Sequence, residues 1–251
     1  HEVLYYGPQD EAEVKAALAA HHKVAADLQP QEKKFSTLQP TDENKVMLAQ
    51  YDAKQLYYMQ YSNRGEKFDL AADPQITLYN EYFGGGMNTI VFQEMREARG
   101  LAYSAWANLA IPTNAKGDYY YMAFIATQND KMQKASRHST RSSTTCPNRK
   151  RRSTSPRRPY LAPAHRAHGE GRRTVSYIRM RDLGLTEPRG KQIFEKAQQM
   201  TLADVKAAQE KWVKGRKYVY GILGDIQDLD LNYLKTLGPI QTVTQEEIFG
   251  Y

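Results

Sequence analysis

Arg96 and Tyr103 are the two side chains in this sequence whose types and spacing most invite a chemical reading. They lie seven positions apart in QEMREARGLAY, one near the end of a patterned helix and the other two residues into the strand that follows. A guanidinium and a phenol placed so can project toward the same space, and both donate hydrogen bonds. The bland alternative pairs Arg96 with a neighbouring carboxylate and packs Tyr103 in the core. Just upstream, FGGGMN suggests a phosphate loop, since glycines before a helix N-terminus can bring N–H groups to an anion. It contains no G-x-x-x-x-G-K-[ST] and does not follow a strand in a βαβ unit, so a tight helix-to-helix turn is the simpler reading. The six histidines are His1, His21, His22, His138, His165 and His168, and none forms an H-x-x-E-H motif. His21-His22 lacks a partner Glu and reads as a solvated helix end. One cysteine, Cys146, excludes an internal disulfide framework and a thiolate zinc cluster.

The elements that must position Arg96 and Tyr103 are legible on both sides. Ile90, Val91, Met95 and Ala98 give their helix an apolar side, opposite Glu94, Arg96, Glu97 and Arg99, and Gly100 ends it. Upstream, PQITLYNEYF reads as a helix and KVMLAQYDAKQLYYMQYSN as two alternating strands. Downstream, LAYSAWANLAIP and DYYYMAFIATQ are strands joined by the hairpin-like TNAKGD. KQIFEKAQQ and TLADVKAAQEKWVK are helices, the second with Thr201 as N-cap. KYVYGILGD is a strand, and IQDLDLNYLKTLG a helix closed by Gly238. The same strand-then-helix plan opens the chain: EVLYYG, then PQDEAEVKAALAAHH, where Val14, Ala17, Leu18 and His21 share a face. Residues 1–34 therefore read as the tail of a preceding domain with its linker, and 35–251 as a second domain. Mixed elements with hairpin-linked strands predict an α+β fold, a two-layer sandwich of a mostly antiparallel sheet packed with helices.

An apolar fraction of 41% and a formal charge of +7 would ordinarily suggest an acidic partner. The charge is local. Residues 137–173 hold eleven Lys/Arg against the single acid Glu170, and the remainder is net negative. This stretch also lacks Ile, Val, Phe, Met and Trp, so it cannot supply a buried helix face. A nucleic-acid arm would interleave aromatic stacking residues, and only Tyr160 is present. A basic linker is the ordinary alternative. A third reading is translation two nucleotides out of register. TCN serine codons then become NTC, which encodes only Phe, Leu, Ile or Val, and the Cys codon becomes an apolar NTG. Ser139, Ser142, Ser143 and Cys146 turn apolar together at i, i+3, i+4, i+7, the spacing of a buried helix face. No apolar run approaches the ~20 residues of a membrane-spanning helix, and the opening on His1 suggests a fragment or processed product.

GGGMNTIVFQEMREARGLAYS closely resembles the glycine-helix-strand block of the insulinase/pitrilysin zinc metallopeptidases, the inverzincins. KWVKGRKYVYGILGD resembles the end of a domain in that family, and the likeness spans roughly residues 35–136 and 174–251. The resemblance implies a zinc-less, C-terminal type of domain: the catalytic half carries H-x-x-E-H, two His ligands and a distal Glu on zinc, and none of that motif is here. It implies that zinc sits on a different domain, with no cofactor in this chain. Partners would be peptide substrates and the zinc-binding domain, not nucleic acid. It also implies that Arg96 and Tyr103 reach across a clamshell to the scissile carbonyl of a bound peptide, with no hydrolysis by this chain alone. An inert structural or peptide-binding domain of the same fold is the alternative. Bacterial relatives are often exported to the periplasm.

Overall fold

A computed structural model of the chain describes residues 3–25, 27, 38–84, 89–97, 100–144 and 170–250. Its centre is a six-stranded mixed sheet. The strands are β1 (Lys45–Gln50), β2 (Gln55–Lys67), β3 (Ser104–Ala110), β4 (Asp118–Gln128), β5 (Val219–Gly224) and β6 (Ile240–Thr242). They lie in the order β3-β4-β2-β5-β1-β6. The β3/β4, β4/β2 and β2/β5 pairs are antiparallel, whereas β5/β1 and β1/β6 are parallel. The predicted hairpin is present, with Ser104 opposite Ala126 and Ala110 opposite Tyr120.

Alternation along each strand makes the sheet two-sided. Val46, Leu48, Leu56, Tyr58, Ala107, Leu109, Tyr119, Tyr121, Ile125, Tyr220 and Ile222 are buried in one core. Helix α2 (Asp73–Phe83) adds Ile76, Tyr79 and Phe83, three and four positions apart, and the last two rings stack at 5.1 Å. Helix α7 (Leu202–Ala208) starts on the expected Thr201 cap, which forms a reciprocal capping box with Asp204. Its sequel Gln209–Val213 widens into a π-helical turn that buries Trp212 and Val213. Helix α3 (Ile90–Phe92) contributes Ile90 and Val91. Helix α8 (Leu231–Leu237) buries Leu234.

The opposite sheet face carries Met47, Tyr57, Met59, Tyr61, Trp106, Tyr120, Met122 and Phe124, all partly exposed and outside the core. Their rings form a ladder across three strands: Trp106 stacks on Phe124 at 5.9 Å, and Phe124 on Tyr57 at 5.8 Å.

Helix α1 (Glu11–His21) opens on a capping box, Asp10 with Glu13, but buries none of its residues. The EVLYYG stretch differs from its strand pattern: Val3–Tyr6 pair with no strand among the described residues. A strand is stable only where a neighbour takes up its N–H and C=O groups.

Helix α4 (Met132–Thr144) enters the anomalous basic segment from its N-terminal side. Met132, Ala135, Ser136 and Ser139 form its buried stripe, and the Ser139 hydroxyl donates to Gln60 Oε1 at 3.1 Å. Residues 145–169, including Cys146 and Tyr160, lie outside the described residues, as do the Ser142 and Ser143 side chains. Beyond them come α5 (Glu170–Asp182), α6 (Arg189–Ala197) and the short α9 (Gln245–Phe249). The Arg189 guanidinium donates to both oxygens of Asp73, which is fully buried at the start of α2. No helix among the described residues is long and apolar enough to cross a membrane.

Candidate functional site

The route from α3 to β3 sets the site. After one α-helical turn the backbone widens into a π-helical turn over Gln93–Glu97. Gly100 then takes a left-handed conformation, φ +57°, which a side chain would resist. The Leu101 and Ala102 N–H groups both donate back to the Met95 carbonyl, at 2.8 and 3.3 Å. These two residues close the helix instead of pairing with β4. The strand therefore begins at Ser104, and Tyr103 sits just before it, later than the sequence pattern suggests. The Tyr103 N–H is tied to the Ala126 carbonyl at 2.9 Å. Thr127 Oγ1 donates to the Leu101 carbonyl at 2.5 Å, fixing the connection to the end of β4.

This backbone brings Arg96 and Tyr103 together. The Arg96 guanidinium carbon lies 5.4 Å from the Tyr103 ring centroid and 5.2 Å from that of Phe92. At these separations the ring quadrupoles attract the cation, by roughly 0.5–1 kcal/mol each at an exposed site. Tyr103 is 73% exposed, so its ring is not part of the core. Both residues line an open cavity of about 390 Å³. Gln55, Thr127 and Gln128 line it from the ends of β2 and β4, and Lys131 from the turn that follows. The Lys131 ammonium is 3.4 Å from the Gly100 carbonyl oxygen. A neighbouring surface depression of about 400 Å³ shares Gln128 and is lined by Lys54, Asn129, Asp130 and Asp228.

Gln128, Thr127 and Lys131 were not singled out by sequence. The hairpin register held a partial signal, because it places Ala126 opposite Ser104 at one end of the sheet, where the separate β2/β4 pairing sets Gln55 opposite Gln128. Gly84 closes the far side of this unit. Its carbonyl accepts from the Ala107 N–H at 3.3 Å, and a Cβ there would stand 1.8 Å from the Ala107 oxygen. The rest of the glycine turn, residues 85–88, lies outside the described residues, as do His1, His165 and His168. Among the described residues no group of three or more His, Cys, Asp or Glu side chains is placed to hold a metal ion. What the described lining of the cavity offers is hydrogen-bond donors and positive charge.

No curated protein matches the chain. Several solved structures share its fold. The peptidase M16 inactive domain from Pseudomonas fluorescens matches with a TM-score of 0.61 at 17% identity, over 76% of this chain and 46% of that one. The periplasmic protease PqqL from Escherichia coli matches at 0.59 and 14% identity, over 87% of this chain and 24% of that one. The ferredoxin protease FusC, solved in complex with Arabidopsis ferredoxin, matches at 0.55 and 12% identity, over 78% and 22%. The chain spans less than half the length of each of these solved chains. A family model described as the peptidase M16 inactive domain matches residues 2–139, more than half of the 251, and that span contains the whole block from the glycines to Tyr103. The chain belongs to the peptidase M16 inactive domain family.

Proposed function

We propose that this domain encloses a peptide or protein substrate for a zinc site on another domain, and that Arg96 and Tyr103 supply supporting contacts to the peptide there. The observation that carries the reading is the shared cavity, with an exposed phenol and a guanidinium at its rim. An Arg N–H and a Tyr O–H aimed at one carbonyl oxygen hold a peptide bond in position. They gain strength as that oxygen becomes negative, because charge-assisted hydrogen bonds are the stronger ones. When bound on its own domain, the zinc ion would supply an activated water. The complex of FusC with ferredoxin supports protein substrates for folds of this type.

The test is turnover by the intact peptidase carrying Arg96→Gln or Tyr103→Phe. Loss of one donor of this kind costs on the order of 100-fold in kcat, so a drop of that size with an unchanged unfolding midpoint is expected. Unchanged turnover in both variants refutes the role. Chelator-sensitive hydrolysis by this chain alone would also overturn the proposal.

A second reading is an inert structural domain that binds only partner domains. The apolar ladder Trp106–Phe124–Tyr57 on the outer sheet face favours it, since contiguous apolar surface of this kind marks interaction sites. Under that reading the Arg96 and Tyr103 variants turn over normally, whereas Trp106→Glu breaks assembly.

A further inference from the structure

Among the described residues, the charged side chains that line the cavity beside Tyr103 are Arg96 and Lys131, with no carboxylate among them. The acids nearby, Asp130 and Asp228, line the adjoining depression instead. Lys131 is held by the fold. It closes the turn Asn129–Lys131 between β4 and α4, and its ammonium reaches the carbonyl of Gly100, whose left-handed conformation helps place that oxygen. An ammonium has three N–H donors, and the one bond to Gly100 accounts for a single one of them. At about 390 Å³ the cavity falls within the ~300–1,000 Å³ of ordinary ligand pockets. A lysine ammonium held at the wall of such a space is complementary to a carboxylate.

We infer that this cavity is a carboxylate subsite for the bound peptide, with Lys131 as its specificity-determining residue. The inference rests on the peptide-binding reading given above and adds the class of side chain preferred. Arg96 and Tyr103 hold the backbone of the peptide, and Lys131 receives a negatively charged group next to that point. The carboxylate can come from an Asp or Glu side chain or from a free peptide C-terminus.

Three fluorescent peptides of equal length distinguish the sources: a neutral amidated peptide, the same peptide with a central Glu, and the neutral peptide with a free C-terminus. Each is titrated onto the full chain and onto its Lys131→Gln, Lys131→Glu and Lys131→Arg variants. The wild-type chain is expected to prefer one or both carboxylate peptides roughly tenfold over the neutral one, the size of one charge-assisted hydrogen bond. Lys131→Arg keeps that ratio, Lys131→Gln brings it near one, and Lys131→Glu inverts it. Raising the salt concentration narrows the ratio. A ratio near one in the wild-type chain, or one that survives Lys131→Gln, overturns the subsite. Arg96→Gln and Tyr103→Phe separate this failure from failure of the underlying reading. If they weaken all three peptides while Lys131→Gln leaves the ratio intact, only the subsite falls. If neither they nor the Lys131 variants change any affinity, both readings fall.

Discussion

Removing the Arg189 guanidinium should expose how strongly the two sides of the basic segment are welded together. Asp73 is fully buried at the N-terminus of α2, and Arg189, at the start of α6, donates to both of its oxygens and to Thr77 Oγ1 at 2.9 Å. The Arg189 side chain retains 32% exposure, whereas that of Asp73 retains none. Arg189→Met strands a buried carboxylate. Breaking a buried pair from one side costs about 3–5 kcal/mol, and partial solvent access at Arg189 points to the lower end, about 3 kcal/mol. With a urea dependence of about 3 kcal/mol per molar, that is a midpoint shift of about 1 M. Asp73→Leu with Arg189→Met removes both charges and leaves no orphan, so most of the loss should return. Urea unfolding of the wild type, both single variants and the double completes the cycle. A single-variant loss below about 1 kcal/mol, or a double variant no better than the sum of the singles, refutes the reasoning. Because Asp73 precedes residues 137–173 and Arg189 follows them, a strong coupling also means that the chain folds as one body across that segment.

Three further outcomes follow from particular contacts. Gly84→Ala should lose about 3 kcal/mol in the same assay, the upper end for overpacking, because the added methyl meets a backbone carbonyl that cannot swing aside. Burial pushes Tyr119 and Tyr220 up to about 12, from about 10 in the unfolded chain. Their neutral forms thus stabilise the fold fully below pH 10, and that contribution is lost as pH rises through about 12. Tyrosinate absorbance should therefore rise together with unfolding in that window, and early titration of a folded chain would contradict it. A gene repaired to the shifted frame across residues 137–173 should give a chain with a higher urea midpoint and better solubility, since it places apolar residues at 139, 142, 143 and 146. Equal stability of the two chains, or an unbroken reading frame on resequencing, removes the frameshift reading.

Much of the fold was legible because its signals are local. Period-two patterning over KVMLAQ, QLYYMQ and DYYYMAFIATQ marks strands from their own residues, and TNAKGD marks the hairpin that pairs β3 with β4. The cap at Thr201 is likewise written within four residues of its helix start. Arg96 and Tyr103 could be singled out because a helix end and a strand start lie only seven positions apart.

What the tertiary structure alone decided are contacts between remote residues and the backbone adjustments they impose. The pairing of β5 with both β1, in parallel, and β2, antiparallel, depends on partners more than 150 positions away, for which no local pattern codes. Val3–Tyr6 carry strand residues without a strand partner among the described residues, since pairing is a property of two segments and not of one. The π-helical turn at Gln93–Glu97 and the return of Leu101 and Ala102 to Met95 set where Tyr103 emerges, and both follow from how α3 must meet β3. Lys131 joined the site for the same reason: the turn after β4 is held over Gly100 by a sheet register, and side-chain chemistry acquires meaning only where the backbone has already brought it.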